Sequence, residues 1–183
     1  MAGFYLYGHL MGIESPATVD ILIQNEATIT LGDAVDINTA GGCQPADAGD
    51  YVFGIVVGLV GINGTPLSTV SASDYDGTYS GNAGQVGSET YVASGDNLTD
   101  KLIKAKVVCD PFALFYNDAK GDMTYADDYQ FFDLYDEDQI ADQDGHATSG
   151  AFQLWKRDPD DDADASKGLF RIAEWQGFNR TQI

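Results

Sequence analysis

Apolar and polar residues alternate along most of this chain with the period of two that a half-buried strand requires. Ala27, Ile29 and Leu31 alternate with Thr28 and Thr30, and Val19, Ile21 and Ile23 do the same just before them. A Gly32-Asp33 corner leads into Val35 and Ile37, and a second corner, Gly49-Asp50, feeds the apolar run Tyr51–Val60. Val86–Ala93 and Leu102–Cys109 read as a hairpin across Gly95-Asp96-Asn97, with Lys104 and Lys106 on the outer face. Pro111 marks a strand start or an edge ahead of the aromatic alternation Phe112–Tyr116, because proline cannot donate to a ladder. Ala151–Arg157 and Gly168–Trp175 are the last two strands. Only residues 122–140 suggest a short helical turn, with Phe131, Leu134 and Tyr135 at helical spacing. The pattern predicts an all-β protein, a compact antiparallel β-barrel or sandwich with at most one or two short helices.

Two stretches fall outside that pattern. Residues 1–18 form an aromatic, glycine-rich lead segment, expected to be an N-terminal arm that orders on a partner, or else the first strand. Residues 61–85 are rich in Gly, Ser, Thr and Asn and predict a long surface loop. The rest, 19–183, reads as a single β domain, and 183 residues suffice to bury a sizeable core. Asp outnumbers Glu about five to one, which favours turns and caps over helix interiors.

Charge narrows the function. Nine Lys and Arg against 29 Asp and Glu give a formal net charge of −20, a surface that repels phosphate and argues against a nucleic-acid partner. The longest apolar run, near residues 51–62, is broken by glycines and too short to span a bilayer, so no membrane partner is expected. The N-terminus lacks a basic region and does not read as a secretory signal. Cys43 and Cys109 are too few for a disulfide scaffold. Alternation puts Cys109 on a buried face with Ile103, Ala105 and Val107, whereas Cys43 in a Gly-Gly turn is open to exposure.

No chemistry stands out. His9 and His146 are the only histidines, both expected at the surface, and no zinc spacing, nucleophile elbow or phosphate-binding glycine pattern is present. Asp158, Asp160, Asp162 and Asp164 have calcium-loop spacing, but Ala163 and Leu169 stand where Gly and Glu are needed. That leaves room for weak divalent binding only. No enzymatic activity, cofactor or metal site is expected.

The ordered set Gly32-Asp33-x-Val35 and Ala46-x-x-Gly49-Asp50-x-x-x-Gly54 resembles the core of the small capsid decoration (cement) proteins of tailed bacteriophages. Further on, Asp110-Pro111 before an aromatic strand reaching Gly121, Ser149-Gly150 before Ala151–Leu154, and Arg171-Ile172 in the closing strand are similar to the same family. The resemblance spans roughly residues 20–175. The long 61–85 stretch, and Tyr116-Asn117 where the pattern tends to Val and Gln, depart from it. It implies a virion structural protein, made in the host cytoplasm, that binds the capsid exterior and clamps major capsid protein subunits, favouring a homotrimer at local threefold points. Phe4, Tyr5, Leu6, Tyr7, Leu10 and Met11 are then the capsid-contact candidates, and Tyr75 and Tyr79 the oligomer contacts. A tail, fibre or surface domain that binds carbohydrate is the alternative, given ten tyrosines, two tryptophans and many Asp/Asn-rich loops.

Overall fold

The computed structural model describes residues 3–61, 63–67, 77–82, 84–100, 103–135, 140–142, 150–158 and 166–173. Tyr75, His146 and the acidic run 159–164 lie outside them. The first strands are β1 (Tyr5–His9), β2 (Thr18–Leu22), β3 (Thr28–Thr30), β4 (Ala34–Ile37), β5 (Cys43–Pro45), β6 (Gly54–Val60) and β7 (Gly77–Ser80). There follow β8 (Thr90–Ala93), a single-turn helix α1 (Asn97–Asp100), β9 (Lys104–Val108) and β10 (Ala113–Lys120). A 3-10 turn, Tyr125–Asp127, precedes β11 (Phe131–Tyr135), β12 (Ile140–Asp142), β13 (Phe152–Arg157) and β14 (Lys167–Ile172). The protein is all-β, as its alternation predicts.

The strands form three sheets in a sandwich-like stack. The first runs β1-β10-β12-β11-β13-β14, with β10 also paired to β14; the second runs β2-β9-β6-β4-β5, and the third β3-β8-β7. All pairings between these strands are antiparallel except β10 with β12. Adjacent residues of the second sheet point into different cores. Ala34, Ile55 and Val108 join Phe4, Phe115, Phe132, Phe152 and Phe170 in one cluster. Val35, Val56 and Val107 join Ile23, Ile29, Tyr91 and Ile103 in the other. The second sheet is therefore the middle layer, which is why Gly54–Val60 carries no polar alternation: a strand covered on both faces has no polar side to alternate with.

The Gly-Asp corners are side-chain staples. Asp33 Oδ2 accepts from the Thr30 N–H at 2.7 Å, and Asp50 Oδ2 from the Asp47 N–H at 3.1 Å, three residues upstream in each case. This local bonding is the reason Asp is favoured in turns. Gly32 also needs its missing side chain. Its φ is +99°, and a Cβ there would lie 2.6 Å from the Val86 side chain and 3.2 Å from the backbone of Phe4.

Four sequence expectations change. Phe131–Tyr135 is a strand rather than a helical turn: Phe132 and Leu134 alternate inward, and helical character stops at the 3-10 turn before it. The expected hairpin does not form, since β8 pairs with β3 and β7 while β9 pairs with β2 and β6. Asn97 is the cause. Fully buried, it donates to the carbonyls of Ile23 (2.6 Å) and Ile103 (3.1 Å) and accepts from the Ile103 N–H (3.0 Å), carrying the chain from the third sheet to the second. The 61–85 stretch contains a strand, β7. The cysteines exchange roles: Cys43 is buried, paired to Ile37 and bridged to Ile23, while Cys109, one residue past β9, is half-exposed. Burial pushes the Cys43 thiol up to about 12, so it is an inert core residue.

Candidate binding surface

The surface of most interest is built by the lead segment. Phe4 anchors it: the N–H of Phe4 donates to the Gly32 carbonyl at 2.8 Å, and its ring stacks on Phe152 at 4.4 Å and meets Phe115 edge-on at 6.4 Å. From there β1 runs antiparallel to β10 with Tyr5 opposite Tyr116 and His9 opposite Ala113. The period-two rule then sorts the side chains. Leu6 packs against the core, while Tyr5 and Tyr7 face solvent, Tyr7 at 65 % exposure. The register slips between Leu6 and Gly8, the mark of a bulge at the edge of a sheet. Phe4 is buried and β1 is paired, the arrangement of a first strand.

Past β1 the chain is held by one carboxylate. The His9 side chain is 2 % exposed, and its Nε2 lies 3.0 Å from Asp110 Oδ2. The Met11 N–H donates to His9 Nδ1 at 3.0 Å, so the ring proton sits on Nε2 and is donated to Asp110. Asp110 also accepts from the N–H groups of Phe112 (2.9 Å) and Ala17 (3.3 Å). Burial works to raise this carboxyl, but the Phe112, His9 and Ala17 bonds outweigh it and hold Asp110 below its ordinary 3.8. His9 is thus a buried structural partner instead of the surface residue its sequence context suggests. The Asp110-Pro111 step is explained as well: the aspartate ties residues 9–17 to the turn before β10.

The clasp displays what it holds. Met11 is 69 % exposed, and Ile13 and Phe112 also face solvent. Beyond the loop, β2 begins with exposed Thr18 and Val19. β1 ends the first sheet and β2 ends the second, so two sheet edges are joined by one apolar connection. Open edges of this kind accept an added strand.

Of the capsid-contact candidates, Tyr5, Tyr7 and Met11 share this strip, Leu10 is half-buried beside it, and Phe4 and Leu6 turn inward. Ile13 and Phe112 belong to the strip too. Ile13 sits in a polar turn context and Phe112 opens an aromatic alternation, and only the fold brings them together. Tyr79, the oligomer-contact candidate among the described residues, is partly buried. It lies in β7 opposite Tyr91 and packs on the second core, where burial and then Glu89 push its hydroxyl up.

Among the described residues no group of three or more His, Cys, Asp and Glu is placed to hold a metal ion, and no helix is long and apolar enough to cross a membrane. No family model matches the chain, and no curated protein or solved structure matches it either.

Proposed function

We propose that this protein is a virion structural protein, a capsid decoration or cement protein that binds the outer surface of an icosahedral shell and stabilises contacts between major capsid subunits. The observation that carries the reading is the strip itself: Tyr5, Tyr7, Met11, Ile13 and Phe112, exposed along an open strand edge and the loop after it, which Asp110 ties down. A rigid edge adds backbone hydrogen bonds and apolar contact to a neighbouring protein without first losing chain entropy. The ordered sequence resemblance points to the same role. An acidic body suits the exterior of a particle that holds DNA inside, and many copies around a lattice make modest single contacts sufficient. A homotrimer over the local threefold points is the assembly this role favours.

Quantitative mass spectrometry of purified particles tests the proposal. Hundreds of copies per particle, lost when Tyr5 and Tyr7 are both replaced by Asp, are expected. A handful of copies, or none, would overturn it.

A further inference from the structure

The connection from β1 to β2 is closed at its start by a side chain that changes its protonation state in the physiological range. His9 ends β1, and its imidazole is sealed: the side chain is 2 % exposed, with the Phe112 ring 6.2 Å away. Both ring nitrogens are used, in opposite senses. Nε2 donates to Asp110 Oδ2 at 3.0 Å, and Nδ1 accepts from the Met11 N–H at 3.0 Å. On either side of Met11, the Leu10 N–H donates to the Phe112 carbonyl at 2.9 Å and the Gly12 N–H to the His9 carbonyl at 3.0 Å. Of these successive amides, only Met11 leans on an acceptor that titrates.

An imidazole that takes up a second proton becomes a donor at both nitrogens. At Nε2 nothing is lost, since that position already donates to a carboxylate and now gains charge. At Nδ1 the new N–H points at the Met11 N–H, and the burial of the ring leaves it no water in exchange. The groups around the ring leave the outcome to this one position. Asp110 is held below 3.8 and stays ionised wherever an imidazole titrates. Cys109, pushed up by burial and then by Asp110, stays a neutral thiol. Ala113, opposite His9 on β10, carries no charge. Glu14 is exposed in the same connection, and with both ring nitrogens already bonded it takes no bond from His9.

We infer that His9 is a proton-operated latch on the exposed loop. A proton at Nδ1 breaks the Met11 bond and swings Met11–Ile13 outward until water reaches the ring, while Nε2 keeps its hold on Asp110. The movement is local. Leu10 stays tied to the Phe112 carbonyl, and Gly12, with a φ of +68°, supplies the backbone freedom just beyond Met11. Met11 and Ile13, 69 % and 54 % exposed, are the side chains the latch presents, so acid rearranges the apolar strip without loosening β1. A weaker grip on a shell at acid pH is the consequence that rests on the decoration reading; the latch itself does not.

Amide exchange and nitrogen chemical shifts of the free, full-length protein, followed from about pH 8 to pH 5, test the latch. Corrected for the intrinsic pH dependence of exchange, Met11 should lose about ten-fold in protection, in step with the His9 ring-nitrogen shifts, while Leu10 keeps its own. Asp33, raised to about 7, titrates in the same range near the other end of β1, so the loss should persist in Asp33→Asn. It should vanish in His9→Gln, which retains a donor and an acceptor but does not titrate. If His9→Gln fails to fold, the coupling of Met11 protection to the His9 shifts in Asp33→Asn decides alone. No shell is present, so failure here leaves the decoration reading standing, and failure of particle binding leaves the latch standing. A His9 ring that stays neutral down to about pH 5, constant Met11 protection across its titration, or a loss abolished by Asp33→Asn or shared equally by Leu10 would overturn the latch.

Discussion

Two exposed aromatic surfaces on this protein are made in opposite ways. The β1 strip is woven into the fold: its root, Phe4, lies in the main core, its backbone pairs with β10, and one aspartate ties down its loop. The Tyr125–Tyr129 surface is mounted on the fold, with exposed rings held by local hydrogen bonds and one stacked arginine. The first offers a sheet edge with apolar side chains, which suits another polypeptide. The second offers separate rings, each fixed by one side-chain contact. The difference teaches that exposed aromatic area alone does not indicate a partner class; the backbone behind it does.

Deleting a ring should therefore cost very different amounts on the two sides. Phe4→Ala is expected to destabilise the protein by about 3–5 kcal/mol, the usual cost of removing a buried Phe, read from the midpoint of denaturant unfolding. A loss below about 1 kcal/mol would show that β1 is peripheral after all.

Asp33 sharpens the comparison through pH, since it sits beside Gly32 where Phe4 docks. Burial raises its carboxyl from 3.8 to about 7, against the opposing pull of the Thr30 N–H. A group raised in the fold contributes stability that is complete below its unfolded value and is lost as pH rises through the folded one. Between pH 3.8 and about 7 the Asp33 contribution should fall by ~1.4 kcal/mol per unit. Asp33→Asn should remove that slope, and the difference between the two proteins cancels the general charge repulsion. Parallel pH–stability curves would contradict this.

Asp110 should act in the other direction and more weakly. Its carboxyl is lowered in the fold, so its contribution is present above 3.8 and lost as pH falls through the folded value. Asp110→Ala is expected to cost about 1–3 kcal/mol and to speed amide exchange at Met11 and Ala17, leaving Phe4 protected. Smallest of all, Tyr125→Ala should change stability by no more than about 0.5 kcal/mol. A larger loss would mean that the ring is structural.

Much of the fold was legible in local patterns. Alternation at Thr28–Leu31 and Thr18–Ile23, the Gly-Asp corners and the Asp110-Pro111 break all mark features found in the structure, because each leaves a local trace in the chain: a period, a turn residue or a missing donor. Strand partners were not legible. β1 pairs with a strand more than 100 residues away, so Phe4–Tyr7 looked like an arm with nothing to hold it. Asn97 looked like a turn residue, since a polar side chain in a Gly-Asp-Asn context gives no sign that it will be buried against Ile23 and Ile103. Tyr79 looked like a loop residue for the same reason.

Hydrogen exchange of the protein, free and bound to purified capsid shells, tests the central claim most directly. Added protection is expected across β1 and residues 10–19, with Tyr125–Tyr129 exchanging as in the free protein. Protection confined to 124–129, or absent from β1, would contradict the assignment of the strand edge as the docking surface.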